Sequence, residues 1–243
     1  MSNFNSKYKS WYNDNGWVVL PNIFSNNEID SIYSEVLRLR KSALGITGWL
    51  GFGCASYFSN TLYNFYTCKK FYDLSRFILG DEVYLFNDEL VVKYPNDQFE
   101  FKPHFDNWFG PNRDNKIHTV NCYVVLDDIT LDNGGIYILD TDKYKDPLKD
   151  IDHTGFINKP IDTKFKKNMY LKKGDVLAVK GSTWHGGGIN TSKQVRAAYA
   201  CVFTEKPLKE KIHYKNKPDH IPDHFYMDKF DKHSGEILNG ETN

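Results

Sequence analysis

Hydrophobic and polar positions follow a helical period in the first third of the chain and a strand-like alternation afterwards. A short alternating run, WVVL, ends at Pro21 and predicts a strand. Apolar residues then recur near the helical period from Ile29 to Leu39. Just before them, Ser25 and Glu28 have the spacing of a capping box, which marks a helix N-terminus. The pattern predicts an amphipathic helix that starts at this box.

A second helix is predicted over residues 63–80, where the run YNFYTCKKFYDLSRFILG closes at Gly80. The segment between the two helices, residues 45–60, is rich in glycine and aromatic residues. It has no sustained periodicity. We expect it to be a loop or a mobile flap.

From Val83 onward, short β-branched and aromatic runs are separated by turn sequences such as Asp132-Asn133-Gly134-Gly135. These runs are EVYLFNDELVVKY, IHTVNCYVVLDD, GGIYILD, MYLKK, DVLAVKG and QVRAAYACVFTE. Many short strands without intervening helices predict an antiparallel barrel or jelly roll. The expected fold class is therefore mainly β with N-terminal helices.

The length of 243 residues suits a single domain. We expect a helical N-terminal part with its flap at 1–82, a jelly-roll core at 83–206 and a polar C-terminal tail at 207–243. The tail carries four histidines and lacks clear periodicity.

Charge and composition narrow the possible partners. The 31 Lys and Arg residues balance 31 Asp and Glu residues, so no net field attracts nucleic acid or an anionic membrane. The lysines of residues 164–173 are flanked by Asp162 and Asp175, which favours a solvated face. No apolar run resembles a signal peptide or a membrane span, and the four cysteines have no C-x-x-C spacing. We expect a soluble, cytoplasmic protein; its oligomeric state is left open.

The stretch KPHFDNWFG raises the question of chemistry, because it places His104 and Asp106 one residue apart. In a strand, residues i and i+2 point to the same face, so both side chains could reach one point. With 8 histidines and 31 acidic residues, one such pair is expected by chance. A two-histidine, one-carboxylate iron site needs a further histidine from elsewhere.

His185 is the best candidate for that third ligand. It follows an apolar strand and precedes three glycines, which let the backbone approach a ligand closely. Eleven residues later, Arg196 stands on another predicted strand, where its guanidinium suits a dicarboxylic co-substrate. A single histidine or arginine on a strand is more often a structural residue. The His-x-Asp pair, the distal histidine and the arginine together favour a metal and co-substrate site. His220 and His224 have a zinc-like spacing but no accompanying pair, and His118 and His153 stand alone.

These residues and their spacings resemble the phytanoyl-CoA dioxygenase-like branch of the iron(II)/2-oxoglutarate oxygenases, from about Trp11 to Phe203. The segments that carry the resemblance are NGWVVLPNIFSNNEID, LDDITLDNGGIYIL and HGGGINTSKQVRAAY. The resemblance implies a double-stranded β-helix, cupin-like, that holds Fe(II) and uses 2-oxoglutarate and O2 as co-substrates.

The same resemblance implies roles for individual residues. His104, Asp106 and His185 fall on the metal positions and Arg196 on the 2-oxoglutarate position, while Lys93, Asn121 and Tyr123 are further candidates near the co-substrate. Trp108, on the same strand face as the metal ligands if that strand continues, is expected to line the substrate pocket. Residues of the aromatic flap, Trp49, Phe52 and Tyr57, are expected to close it.

Two departures from the family pattern concern the surroundings of the site. The family usually follows its glycine-bearing strand with Pro-Gly-Ser-His, whereas this chain has Asp140-Thr141-Asp142-Lys143. The family often has a small hydroxyl residue two positions after the distal histidine, where this chain has Gly187. A second partner for the far carboxylate of 2-oxoglutarate must then come from elsewhere.

Asp106 refines the expected reaction, because related halogenases have Ala or Gly at that position. We expect hydroxylation of a C–H bond in a small polar metabolite, with succinate and CO2 as co-products. An acyl-CoA or carrier-bound substrate is the nearer alternative and would require a basic cluster at the pocket mouth. A cupin-like protein that only binds a metal or ligand, and a zinc hydrolase with the same ligands, are the alternatives outside this class.

Overall fold

Four α-helices and ten strands make up the regular structure of the described residues, together with short 3-10 turns. The computed structural model describes residues 4–43, 51–53, 55–109, 112–208 and 229–232. The helices are α1 (Ser6–Asn15), α2 (Asn26–Ala43), α3 (Asn60–Tyr66) and α4 (Lys69–Leu79). The strands are β1 (Trp17–Leu20), β2 (Gly51–Gly53), β3 (Tyr84–Lys93), β4 (Phe101–His104), β5 (Thr119–Val125), β6 (Ile136–Leu139), β7 (Lys166–Asn168), β8 (Val176–Lys180), β9 (His185–Gly187) and β10 (Arg196–Thr204). None of these helices combines the length and apolar character that a membrane crossing requires.

The strands form two antiparallel sheets. The larger sheet has the order β1-β8-β5-β10-β3-β2 and the smaller one the order β4-β9-β6-β7. A buried cluster joins them face to face, with Val125, Leu177 and Val179 from the larger sheet and Ile136 and Ile138 from the smaller. This arrangement confirms the predicted jelly roll.

Each face of the larger sheet has a different neighbour. Because side chains alternate along a strand, Leu90 and Val92 of β3 point to the outer face. There they join the main core with Ile32 and Val36 of α2, together with Phe71 of α4. The inner face points toward the smaller sheet. The helices therefore cover one side of the sheet and leave the other side for the space between the sheets.

The capping box predicted at the start of α2 is confirmed. The backbone N–H and the hydroxyl of Ser25 both donate to the Glu28 carboxylate, at 2.7 and 2.8 Å. Lys70 of α4 donates to the same carboxylate at 2.7 Å. The box therefore also ties α2 to α4.

Several sequence-based boundaries were wrong. The expected helix over 63–80 is two helices, because the chain breaks at Thr67 and Cys68; its predicted end at Gly80 is confirmed. Helix α1 was not predicted, since its sequence is polar and Tyr12 is its only buried residue. The expected strand MYLKK is displaced: β7 lies at Lys166–Asn168.

The segment expected to be a flap is partly regular. Within it, β2 pairs with β3, and residues 55–58 form a 3-10 turn. The Ser56 N–H and hydroxyl donate to Asp88 on the outer face of β3. Trp49 lies outside the described residues.

The N-terminal and C-terminal parts both contact the β core. Strands β1 and β2 of the N-terminal part join the larger sheet. In the tail, Phe230 is buried, donates its N–H to the Val83 carbonyl and stacks on Phe203. These contacts support a single domain over 1–243, which stays a prediction.

Candidate metal and co-substrate site

Three potential metal ligands meet at one edge of the smaller sheet. His104 ends β4 and lies opposite His185, the first residue of β9, in the antiparallel register. The Asp106 Oδ1 lies 3.7 Å from Nε2 of His104 and 3.4 Å from Nε2 of His185. One ligand atom from each of the three residues falls within 4.8 Å of the others. The tertiary structure thus brings together the three residues that the sequence nominates.

Both histidines are held in one orientation by the backbone. Nδ1 of His104 lies 2.7 Å from the Lys102 carbonyl, and Nδ1 of His185 lies 2.9 Å from the Thr183 carbonyl. A carbonyl oxygen only accepts, so each Nδ1 must carry the donated proton. The Nε2 lone pairs are therefore left for a metal, in the arrangement typical of metal-binding histidines.

Asp106 reaches the site by a route that the sequence reasoning did not foresee. Strand β4 ends at His104, and residues 106–109 form a 3-10 turn, so the expected shared strand face does not exist. Asn121 of β5 donates to the Asp106 Oδ2 at 3.0 Å. This bond turns Oδ1 toward the histidines.

The electrostatics of the three residues suit a cation. Burial, assisted by repulsion from His185 and opposed by the charge of Asp106, lowers the pKa of His104 to about 4. Burial alone would raise the pKa of Asp106, but the charge and hydrogen bond of His185 outweigh it and hold that pKa well below its ordinary value. At neutral pH the site therefore offers an ionised carboxylate and a neutral imidazole, as metal binding requires.

His185 completes this balance. Burial works to lower its pKa, but the charge of Asp106 and the hydrogen bond to it raise the pKa overall. The raised pKa favours a second proton on the imidazole, at Nε2. A metal ion bound at Nε2 would take the place of that proton. Two imidazole nitrogens and one carboxylate oxygen form the donor set of mononuclear non-haem iron sites, so the residues present fit iron(II).

Two buried cations lie beside one another on the inner face of the larger sheet. Arg196 begins β10 and pairs in register with Lys93, the last residue of β3. Arg196 donates to the Tyr123 hydroxyl at 2.7 Å and to the Gly134 carbonyl at 2.8 Å. Lys93 donates to the Phe99 carbonyl at 2.8 Å and to the Gly188 carbonyl. Among the described residues, no carboxylate forms an ion pair with either side chain.

The lack of a protein counter-ion has an electrostatic consequence. Burial above all, and then the charge of Arg196, lowers the pKa of Lys93 to about 7. Two buried positive charges without an anionic partner are unfavourable unless a ligand neutralises them. The pair is therefore a candidate binding place for an anion.

This anion site lies next to the three metal ligands. Asn121 and Tyr123 are two residues apart on the same face of β5, a distance of about 7 Å along a strand. Asn121 contacts Asp106, whereas Tyr123 contacts Arg196. One face of one strand thus connects the metal ligands to the buried cations.

The residues expected to contact substrate receive less support. Trp108 lies in the 3-10 turn, packs against Phe105 at 5.8 Å and lies under the Arg113 guanidinium at 3.4 Å. The strand argument that placed it in the pocket was wrong. Phe52 is described only by its backbone, which pairs with Leu90. Tyr57 follows Ser56, which is bound to the outer face of the sheet.

Of the other histidines considered above, His118 has another partner, His153 is exposed in a turn, and His220 and His224 lie outside the described residues. His118 lies 3.0 Å from the Tyr12 hydroxyl, a contact that joins α1 to the start of β5. His220 and His224 belong to the part of the tail that is not described.

The turn at Asp140–Lys143, where the sequence departs from the family pattern, is closed by an ion pair between Asp140 and Lys143 at 3.0 Å.

Sequence reasoning missed one charged residue on the inner face, Glu89. It lies four residues before Lys93, so strand alternation places both on the same face. That spacing was visible in the sequence once β3 had been predicted.

Comparison with known proteins agrees with this geometry. The family model for phytanoyl-CoA dioxygenase (PhyH) matches residues 12–198. No curated protein matches the chain. Three solved structures illustrate the shared fold, each less than 20% identical.

The epimerase SnoN, in complex with Fe³⁺, α-ketoglutarate and nogalamycin RO, is 17% identical with a TM-score of 0.69 and covers 97% of this chain and 96% of its own. EctD from S. alaskensis with bound Fe is 19% identical with a TM-score of 0.66, covering 90% and 87%. EvdO2 from Micromonospora carbonacea var. aurantiaca, complexed with 2-oxoglutarate, is 15% identical with a TM-score of 0.62, covering 93% and 98%.

Proposed function

The chain belongs to the phytanoyl-CoA dioxygenase family, and from that premise we propose that it hydroxylates an unactivated C–H bond of a small polar metabolite. Membership of the family makes it a non-haem iron enzyme that depends on 2-oxoglutarate and O2. Succinate and CO2 are the co-products. The observation that carries the proposal is the conjunction of a two-histidine, one-carboxylate cluster with a buried pair of unneutralised cations.

Iron(II) would be held by Nε2 of His104, Nε2 of His185 and Oδ1 of Asp106. When bound, iron(II) supplies the oxidative chemistry that couples 2-oxoglutarate decarboxylation to attack on the substrate. The protein fixes the ligands in advance. The Lys102 and Thr183 carbonyls set the tautomers of the histidines, and Asn121 fixes the carboxylate.

Arg196 and Lys93 would bind the carboxylate of 2-oxoglutarate that lies farthest from the metal. Arg196 is buried, and its Tyr123 and Gly134 partners fix the plane of the guanidinium. The family often has a hydroxyl residue at the position of Gly187, which helps the arginine to bind the far carboxylate. In this chain, Lys93 would be the second donor to that carboxylate. A rigid, buried guanidinium suits a carboxylate because it donates two parallel hydrogen bonds.

The carboxylate of Asp106 favours hydroxylation over halogenation, because it occupies the position that related halogenases leave open for chloride. Product analysis by mass spectrometry tests this point in chloride buffer. The expected product gains one oxygen atom. A chlorinated product would contradict the assignment, and a product of unchanged mass would indicate an epimerisation such as that in the name of SnoN.

The lysines of residues 164–173 favour a small substrate over an acyl-CoA. Lys172 pairs with Asp128 at 2.8 Å, Lys173 with Asp30 at 2.5 Å and Lys164 with Asp162 at 3.1 Å. The charges of these three lysines are matched by neighbouring carboxylates, and Lys167 lies over the Trp17 ring. This arrangement does not provide the free basic cluster that a CoA phosphate would need.

An anaerobic titration tests the function as a whole. Purified protein with Fe(II) and 2-oxoglutarate should develop a weak visible charge-transfer band, and air should then yield succinate. Arg196→Ala should abolish the band at the same 2-oxoglutarate concentration, whereas Arg38→Ala, at an exposed ion pair on α2, should retain it. Absence of the band in wild type would favour a binding protein. Zinc-dependent hydrolysis without O2 would favour a hydrolase.

A cytoplasmic location is part of the proposal. Cys68, Cys122 and Cys201 are buried free thiols, which fits a reducing compartment. Cell fractionation with a specific antibody would test it. Recovery in an oxidising compartment would contradict it.

A further inference from the structure

Glu89 is a carboxylate on the inner face of β3 for which the mechanism above has no use. Strand alternation puts it on the same face as Val91 and Lys93. The Lys93 ammonium contacts the Gly188 carbonyl, just beyond β9 of the smaller sheet, so this face points into the space between the sheets. The metal ligands lie on the opposite side of that space.

The neighbours of Glu89 across the sheet leave room beside it. In the register, Glu89 lies opposite Ala200 of β10 on one side and Gly53 of β2 on the other. Ala200 in turn lies opposite Tyr123, the partner of Arg196. Glu89 and Tyr123 are therefore about 10 Å apart, two strand spacings, with only a methyl group between them. In its row of the sheet, the Glu89 side chain therefore has only small neighbours, Ala200 and Gly53.

The Glu89 carboxylate has no direct partner in the part of the chain that the structure describes. Among the described residues, none makes a hydrogen bond or an ion pair with it, although the side chain is partly buried. Lys93 is four residues away, about 13 Å along the strand, so it does not form an ion pair with Glu89. The positive charge of Arg40 attracts the carboxylate without forming a hydrogen bond to it. A partly buried carboxylate without a hydrogen-bond donor is unfavourable unless a ligand supplies one.

The protonation behaviour of the residue supports this view. Burial above all, then the negative charges of Asp106 and Asp88, raise the pKa of Glu89 to about 7, and Arg40 opposes the shift only in part. A positively charged group beside the carboxylate would reverse that shift.

The inner face is thus divided by charge. At one end, Arg196 and Lys93 await an anion, for which the proposed function provides 2-oxoglutarate. At the other end, Glu89 forms no ion pair with a described residue and is attracted only by the charge of Arg40. A cationic group of the substrate would complete this end.

We propose that Glu89 determines substrate specificity by binding a positively charged nitrogen, an ammonium or amidinium group, of the substrate. This inference rests on the hydroxylase function proposed above and narrows its substrate class to small cationic or zwitterionic metabolites. The carboxylate positions the substrate between the sheets and takes no part in the oxidation.

Binding of matched pairs of compounds tests the proposal. The pairs are L-ornithine with 5-hydroxy-L-norvaline, L-lysine with 6-hydroxy-L-norleucine, and putrescine with 1,4-butanediol, so that only the terminal ammonium changes to a hydroxyl. Calorimetric titration is done on the metal-free protein and, under anaerobic conditions, on the protein with Fe(II) and 2-oxoglutarate. We expect at least one ammonium compound to bind about tenfold to a hundredfold more tightly than its hydroxyl partner.

Variants of Glu89 test whether this residue causes the preference for ammonium over hydroxyl compounds. Glu89→Gln keeps the shape of the side chain and should remove the preference while retaining the 2-oxoglutarate charge-transfer band. Glu89→Asp keeps the charge and should retain part of the preference. Glu82→Gln, which alters only a surface carboxylate paired with Lys229, is the matched control and should behave as wild type.

The inference is overturned if the hydroxyl compounds bind as well as the ammonium compounds, or if the preference survives in Glu89→Gln. It is also overturned if no ammonium compound binds at millimolar concentration in either form of the protein. The two proposals fail separately. A band without any ammonium preference rejects the role of Glu89 alone, whereas an ammonium preference without a band or succinate rejects the oxygenase function.

Discussion

Asp88 and Glu89 are neighbours in one strand, yet they lie on opposite faces of the larger sheet and have opposite surroundings. Asp88, on the outer face, is fully buried and accepts hydrogen bonds from the Ser56 N–H, the Ser56 hydroxyl and the Tyr199 hydroxyl, at 2.8, 2.6 and 2.6 Å. Glu89, on the inner face, has no hydrogen bond among the described residues. One carboxylate is fully partnered within the fold, and the other is left for a ligand.

The same contrast extends to the rest of the two faces. The outer face carries apolar side chains that pack against α2 and α4, and Asp88 fastens the turn that precedes α3. On the inner face, Glu89, Lys93 and Arg196 have no counter-ion among the described residues. Polar groups matched by the protein stabilise the fold, whereas unmatched ones mark where the molecule binds something else.

The largest expected difference is in the free energy of unfolding after substitution of each of the two carboxylates. Asp88→Ala leaves three buried donors without an acceptor and should lower the free energy of unfolding by about 3 kcal/mol. At about pH 5, where the folded protein keeps Glu89 protonated, Glu89→Gln should change it by less than about 1 kcal/mol. Urea unfolding followed by circular dichroism measures both values. Equal losses of stability in the two variants would remove the distinction between the faces.

Asn121 should affect metal binding without affecting the core. Asn121→Ala removes the hydrogen bond that orients the Asp106 carboxylate and should weaken Fe(II) binding by about tenfold to a hundredfold. Competition with a chelator under anaerobic conditions measures the affinity. Asn158→Ala, at an exposed side chain, is the control and should bind iron as wild type. Unchanged affinity in Asn121→Ala would mean that Asp106 is oriented by other contacts.

The pH dependence of stability provides a third comparison. The folded protein raises the pKa of Glu89 from 4.5 to about 7, mainly through burial, so it retains a proton that the unfolded chain has lost. The resulting stabilisation is complete below about pH 4.5 and is lost as the pH rises through about 7. Between pH 5 and 8, metal-free wild type should therefore lose stability relative to Glu89→Gln. Parallel curves from thermal unfolding in the two proteins would contradict the shift.

The smallest effect concerns two adjacent glycines in β9. A Cβ at Gly187 would meet only ordinary contacts, at 3.7 Å or more, and would lie near the Gly134 carbonyl that Arg196 contacts. Gly187→Ser should strengthen 2-oxoglutarate binding about twofold to tenfold by adding a donor. Gly186→Ser serves as contrast, because its Cβ would lie 2.4 Å from the Tyr137 hydroxyl and should disturb the strand. Titration of the charge-transfer band measures both; weaker binding in Gly187→Ser would contradict the placement.

Much of the fold could be predicted from local patterns. The capping box at Ser25 and the alternation in β3, β5, β8 and β10 predicted elements that exist, because their signals depend on residues near in sequence. Helix α1 was missed since it buries only Tyr12 and has no apolar stripe. The break at Thr67 was missed because the apolar period continues across it.

The site could be predicted in identity but not in geometry. His104, Asp106, His185 and Arg196 were all named from spacing and resemblance, and the fold gathers the first three within ligand distance. The reason given for Asp106 was wrong, since a 3-10 turn and Asn121 direct it. Glu89 was overlooked, because a charged residue in a strand gains meaning only when its neighbours across the sheet are known.

The sequence by itself determined the candidate metal and co-substrate residues, His104, Asp106, His185 and Arg196, and the faces of strands such as β3, since strand alternation is a local property. Only the tertiary structure decided which of those charges meet a partner. That outcome depends on register between strands distant in sequence: Arg196 lies beside Lys93, whereas Glu89 lies between Ala200 and Gly53. Desolvation and pairing act on groups that are close in space, so the partnered Asp88 and the unpartnered Glu89 become different only in the folded chain.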